Sequence, residues 1–136
     1  MMKTQMKMTH KLYQNLGKLF YAMASADDSV NKAEFDKLKV LVKKHWLNLD
    51  NLEDDYGSDA AYEIEIVFDW LKSQKYTDND RCFNDFVAYK NSQPHLFTPK
   101  LKKLILKTAN AIAAAFSGIN KSELIMMAKL DLELKK

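Results

Sequence analysis

Apolar residues recur at spacings of three and four along most of this chain. Leu12, Leu16, Leu19, Phe20 and Met23 form one such stripe and predict a helix from Thr9 to about Ala26. A second stripe, Phe35, Leu38, Leu41, Val42 and Trp46, predicts a helix from near Lys32 to Trp46 or Leu47. Its start is marked by Asn31 with Glu34 three positions on, an approximate capping box in which each side chain satisfies the other's orphan backbone N–H. Residues 48–58 read as a loop. Ser58 or Asp59 then caps a third helix to about residue 74, with Tyr62, Ile64, Val67, Phe68 and Leu71 on one side. Asp78 or Asp80 caps a shorter helix, to about residue 90, that carries Phe83, Phe86, Val87 and Tyr89. Thr98 followed by Pro99 is a start signal, because proline at the first helical position forgoes an N–H that has no intrahelical partner. That helix runs through Leu101, Leu104, Ile105 and Ile112 to about Phe116, and a last one, capped by Asn120, places Leu124, Met127, Leu130 and Leu134 in a stripe ending near residue 135. With only three glycines and two prolines in 136 residues, the frequent turns of a strand-rich fold have no residues to make them, so the fold class is all-α.

One pattern repeats. Residues 21–41 (YAMASADDSVNKAEFDKLKVL) match residues 110–130 (NAIAAAFSGINKSELIMMAKL) at a constant offset of 89. Ala22, Ala24 and Ala26 meet Ala111, Ala113 and Ala115, and Val30 meets Ile119. Asn31-Lys32 meets Asn120-Lys121, Glu34 meets Glu123, and Leu41 meets Leu130. Both segments read as a small-residue helix end, a tight turn with a β-branched plug, an asparagine cap, a glutamate at N3 and an apolar stripe. The expected architecture is therefore a six- or seven-helix single domain, residues 1–136, in which helices 9–26 and 31–47 pack against helices 98–116 and 120–135. Helices 58–74 and 80–90 connect the two pairs, and residues 1–8 form a flexible N-terminal extension.

The first of these segments, ASADDSVNKAEF, resembles the TerB-like tellurite-resistance family, whose signature is Ala-x-Ala-Asp-Gly-x-Val-Ser-x-x-Glu between two helices. The match covers residues 20–42, is echoed at 110–130, and does not extend as a motif across 48–98. The resemblance implies an all-helical domain with two pseudo-symmetric hairpins, of a kind found in bacterial stress-response proteins and membrane-associated co-chaperones, and it implies that Asp27 is the motif acid and Glu34 the helix-start acid. Asp28 stands where the family prefers glycine, and Asn31 stands for the capping serine. In the second unit Phe116 replaces the acid and Ser117 the glycine, which leaves only Glu123.

Asp27, Asp28 and Glu34 are the candidate metal ligands, since carboxylates converging at an inter-helix bend suit a hard cation such as Ca²⁺ or Mg²⁺. The family resemblance carries the same implication. The segment is not an EF-hand: counted from Asp27, position six is Lys32 and position twelve is Leu38, and counted from Asp28 they are Ala33 and Lys39, so the required glycine and bidentate glutamate are missing. A purely structural reading stands beside this one, with Asp28 in a left-handed turn and Glu34 completing the capping box. His10, His45 and His95 fall at no helical metal-ligand spacing, and His45 is placed as a helix C-terminal charge, favourable when protonated. Nucleophile elbows, glycine-rich phosphate loops and Cys/His pairs are absent from the sequence, which points away from an enzyme.

Charge modifies the picture in one respect. The net charge of +3 conceals an acidic block, residues 50–80, with ten Asp/Glu against two Lys, between two basic arms. Twenty of the 21 basic residues are lysine, and Arg81 is the only guanidinium, which disfavours a nucleic-acid reader. The acidic block suits a basic partner or the lysines of this chain itself, within or between molecules, so the expected partner is a protein, a homo-oligomer included. The single cysteine, Cys82, excludes an intrachain disulfide and a cysteine-rich zinc site, and is expected to be a small buried or half-buried side chain. No segment approaches the roughly 18 uninterrupted apolar residues of a membrane span, and the polar N-terminus has no signal-peptide core; the expected location is the cytoplasm. The functional expectation is a non-enzymatic stress-response-type domain that binds a divalent cation at its acidic turn and mediates protein interaction, the alternative being a structural or regulatory interaction module with no metal site.

Overall fold

The computed structural model describes residues 2–25, 32–46, 63–74, 78–115 and 121–135. Among these residues there are six α-helices and no strand: α1 (Met2–Ala24), α2 (Lys32–Leu41), α3 (Glu63–Ser73), α4 (Asn79–Ser92), α5 (Pro99–Ala113) and α6 (Lys121–Lys135). A π-helical turn, Val42–Trp46, continues α2, and a 3-10 turn, Pro94–Leu96, follows α4.

The core is organised around α1. In its C-terminal half Leu12, Tyr13, Leu16, Leu19, Phe20, Tyr21, Ala22, Met23 and Ala24 are all buried. Only Gln14 and Lys18 reach water in this stretch, so the remaining sides of the helix must be covered. The cover comes from α3 and α4, which pack along α1 most extensively, and from α5 and α6. Two polar residues within this half satisfy themselves locally: Asn15 Nδ2 donates to the Lys11 carbonyl at 2.9 Å and Ser25 Oγ to the Tyr21 carbonyl at 2.7 Å. The helix starts at Met2 rather than at Thr9. Helices α3 and α4, expected to act as connectors between two hairpins, are instead the principal walls of the core.

Two of the expected start signals fall among the described residues and hold, while Asn31, Ser58, Asp59 and Asn120 lie outside them. Asp78 Oδ1 accepts from the Arg81 N–H at 2.9 Å at the head of α4, and Thr98 Oγ1 accepts from the Leu101 N–H at 3.2 Å ahead of Pro99 in α5. The helix boundaries Ala24 and Lys32 recur at Ala113 and Lys121, the offset of 89 seen in the sequence. Leu12, Leu16, Phe20, Met23 and Leu41 are buried, as are Leu101, Ile105, Ala109, Ile112 and Leu130 at the corresponding positions. The two pairs differ in packing: α5 lies directly against α6, whereas α2 has α5 as its main partner. The end of α2 is pinned there by Trp46, whose buried Nε1 donates to Thr108 Oγ1 at 3.1 Å while that hydroxyl donates to the Leu104 carbonyl at 2.8 Å. The indole also meets Tyr13 and Phe20 edge-on, at 6.4 and 6.0 Å between ring centres. Tyr13 carries the one buried hydroxyl with no hydrogen-bond partner among the described residues.

Close approach of α3 to α1 depends on Gly17. A Cβ at this position would lie 2.8 Å from the Val67 Cβ and 2.9 Å from the Ile64 carbonyl oxygen, and a backbone oxygen in a helix has little room to retreat. Gly17→Ala gains about 1 kcal/mol of helix propensity, but overpacking of this kind costs about 1–3 kcal/mol and separates two helices that share the core. The second effect wins because one of the obstacles is main chain. A lowered urea midpoint for Gly17→Ala is expected; an unchanged or raised midpoint would show that α3 can slide away freely.

Candidate functional site

Helix α6, KSELIMMAKLDLELK, is apolar on two sides. Glu123, Met126, Leu130 and Leu134 are buried, following the three- and four-residue spacing of one face. Leu124, expected in that stripe, is 61% exposed, and Ile125 and Leu132 are 50% and 62% exposed. The sequence supports both rotations of the helix because leucines and methionines occupy both faces; packing against α5 and α1 selects the face with Met126. The result is an outward row of Leu124, Ile125 and Leu132, with exposed Ala128 between them and exposed Lys121 and Lys129 on the same side. Large apolar residues gathered on one exposed face mark a contact surface more often than isolated ones do.

An open groove of about 650 Å³ lies beside this row, between the first half of α4 and the end of α6. Phe83 and Leu132 supply its apolar lining, and Asp80, Lys129, Glu133 and Lys135 its charges. Ligand pockets fall in this size range, but they enclose most of their ligand; a solvent-open trough with charges of both signs suits a side chain or helix presented by another macromolecule. Lys90 joins the two helices that wall the groove. This lysine is only 6% exposed, and a buried ammonium needs partners. Its Nζ donates to the Glu133 carbonyl at 2.8 Å and lies 3.9 Å from Glu133 Oε1, so α4 caps the last turn of α6 and holds it in place. Nothing in the sequence spacing singles out Lys90; its role arises only when the two helices meet.

The side chains of the three sequence-derived metal ligands fall outside what the structure describes. Asp27 and Asp28 lie outside the described residues, as does the Glu34 side chain, whose backbone belongs to the first turn of α2. Among the described residues no group of three or more His, Cys, Asp or Glu is arranged to hold a metal ion. Glu123, the counterpart of Glu34, is buried and has an interaction partner. Cys82 is buried, and its thiol is pushed up to about 11, chiefly by that burial, so it stays protonated and poorly nucleophilic near neutral pH. No helix among the described residues is long and apolar enough to cross a membrane.

His45 lies in the last turn of the segment that ends at Trp46, as expected, but its charged form is disfavoured there. The structure lowers its pKa, first through burial and then through the positive charges of Lys107 and Lys44. The favourable end of a helix is outweighed here by desolvation and by two ammonium groups. The linkage has a definite sign. The native state keeps the imidazole neutral, so as pH falls through about 6.5 the unfolded chain takes up the proton first and stability drops. The loss ends once the pH has passed the lowered native value. His45→Gln is therefore expected to flatten the dependence of the urea midpoint on pH between about 7 and 5, relative to wild type; parallel curves for the two proteins would refute the assignment. In comparisons with known proteins, no family model, no curated protein and no solved structure matches this chain.

Proposed function

We propose that this protein is a non-catalytic, TerB-like helical module that works by docking a protein partner on the outward face of α6. The observation that carries this reading is the row of Leu124, Ile125 and Leu132, each at least half exposed, on a helix whose other face is fully used by the core. Solvating three such side chains costs about 25 cal/mol for each Å² of apolar surface left in water. Covering them is a source of binding energy, and the flanking Lys121 and Lys129 add selectivity for an acidic or polar rim. The family part of the proposal is supported by the ASADDSVNKAEF segment and by the helix boundaries that recur at the same offset of 89 as the sequence echo.

A photoreactive benzophenone side chain at position 132, in the cell that makes this protein, tests the docking reading. Irradiation is expected to give discrete protein adducts, while the same probe at exposed Lys37 on α2 gives none. A protein present at its normal level and without adducts at position 132 would overturn it.

Cation binding by Asp27, Asp28 and Glu34 is a separable second reading, favoured by the position of Glu34 in the first turn of α2, immediately after the acidic segment. Calorimetric titration of wild type and Asp27→Ala with Ca²⁺ and Mg²⁺ decides it. Binding raises stability by mass action, about 2.7 kcal/mol at a hundredfold excess over Kd, and the melting temperature should rise in wild type only. No heat and no shift would reject the cation and leave the docking surface untouched.

A further inference from the structure

The docking face of α6 has a complement on the same molecule. Helix α3 buries Ile64, Phe68 and Leu71 and turns Ile66 and Trp70 outward, 63% and 58% exposed. A tryptophan so exposed is unusual, since large aromatic side chains are mostly covered and are enriched at the centres of interfaces. The charges of α3 sort by side. Lys72 turns toward α2, its Nζ 5.0 Å from the centre of the Phe35 ring, which itself stacks on Phe68 at 5.4 Å. Helical spacing puts Ile66 and Trp70 on the side opposite Phe68, with exposed Asp69 at its edge and Glu63, whose Oε2 accepts from Gln14 Nε2 of α1 at 3.4 Å, toward α1. The outward face of α3 is therefore apolar with an acidic margin.

The outward face of α6 is apolar with a basic margin. Of its acids, Asp131 sits at the edge of this face and is neutralised there by Lys135 at 3.0 Å, Glu133 is held by Lys90, and Glu123 is buried. Lys121 and Lys129 share the exposed side with Leu124, Ile125 and Leu132. Ile125, Ala128 and Leu132 follow one another at helical spacing, so the small Ala128 floors a notch between two large side chains. One face offers a bulky knob with negative charge around it, and the other offers a hole with positive charge around it.

Resting on the docking reading above, we propose that the partner on α6 is the outward face of α3 from a second copy of this chain, with Trp70 seated over Ala128 between Ile125 and Leu132. The contact joins unlike faces, so each copy keeps one free face of each kind, and assembly continues head to tail until a ring closes or a chain grows. Two short helix faces cover less than the roughly 800 Å² per partner of a standard stable interface, so association is weak and reversible. Its electrostatic part is exposed and is screened by salt.

Sedimentation of the full chain tests this. Wild type is expected to associate as concentration rises above about 10 µM and to do so roughly tenfold less readily in about 0.5 M salt than in 0.05 M. Trp70→Ser spoils only the α3 face and Leu132→Ser only the α6 face; both positions are exposed, and unchanged helicity and melting temperature verify that each variant folds. Each variant alone should remain monomeric. An equimolar mixture should recover a 1:1 complex, because it contains one intact face of each kind. Wild type that stays monomeric, a single variant that still assembles, or a mixture without rescue would each overturn the proposal. Monomeric wild type whose position 132 still cross-links to another protein discards the self-contact and leaves the docking reading standing.

Discussion

Burial of α1 between Leu12 and Ala24, complete from Leu19 onward, is the constraint from which the rest of the molecule follows. From Leu12 to Ser25 only Gln14 and Lys18 reach water, so several neighbours are needed to hide the rest. Helices α3 and α4 take two sides, and α5 and α6 close the remainder. Local details serve this enclosure. Gly17 allows the α3 backbone to come near, Lys18 reaches Asp85 of α4 at 3.2 Å across a half-exposed seam, and Trp46 locks the end of α2 onto Thr108. The ion pair at the seam is partly solvated and contributes little beyond orientation; the apolar contacts dominate.

Elements defined by local chemistry were legible in the sequence, and those defined by encounters between distant segments were not. Asp78 and Thr98 act as caps because a short polar side chain before an apolar run has few other uses. The stripes of α1 and α2 were readable for the same reason, as each has a single apolar face or is apolar throughout. Helix α6 defeats this logic. With Leu124, Ile125, Met126, Met127, Leu130, Leu132 and Leu134 distributed around it, periodicity fits more than one rotation, and only the shapes of α5 and α1 choose among them. The outward row that carries the proposed contact was therefore hidden inside an ambiguous pattern. Lys90 and His45 were illegible for a different reason. Their surroundings come from Glu133 and Lys107, which lie far away along the chain.

The matching helix boundaries of the two units also set a contrast between them. The sequence writes the same spacing of asparagine, glutamate and apolar stripe around the starts of α2 and α6, yet Leu38 is buried in one while its counterpart Met127 is only half-buried in the other. The difference goes with packing: α2 has α5 as its main partner, while α6 lies against α5 and α1 and is fastened at its end by Lys90. A shared local design thus yields one helix with a single apolar face and another with two, and the spare face is free to take on a role outside the core.

The chain's two tryptophans sit at opposite extremes of environment. Trp46 is enclosed by Tyr13, Phe20 and Thr108, while the indole of Trp70 is mostly in water. Native emission is therefore the sum of a blue component from the interior and a red one from the surface, and a quencher such as iodide reaches only the latter. Unfolding shifts the first and leaves the second nearly unchanged, whereas a contact on α3 does the reverse. Intrinsic fluorescence of the unlabelled protein thus separates loss of structure from occupation of a surface, two events that one averaged signal would otherwise confuse.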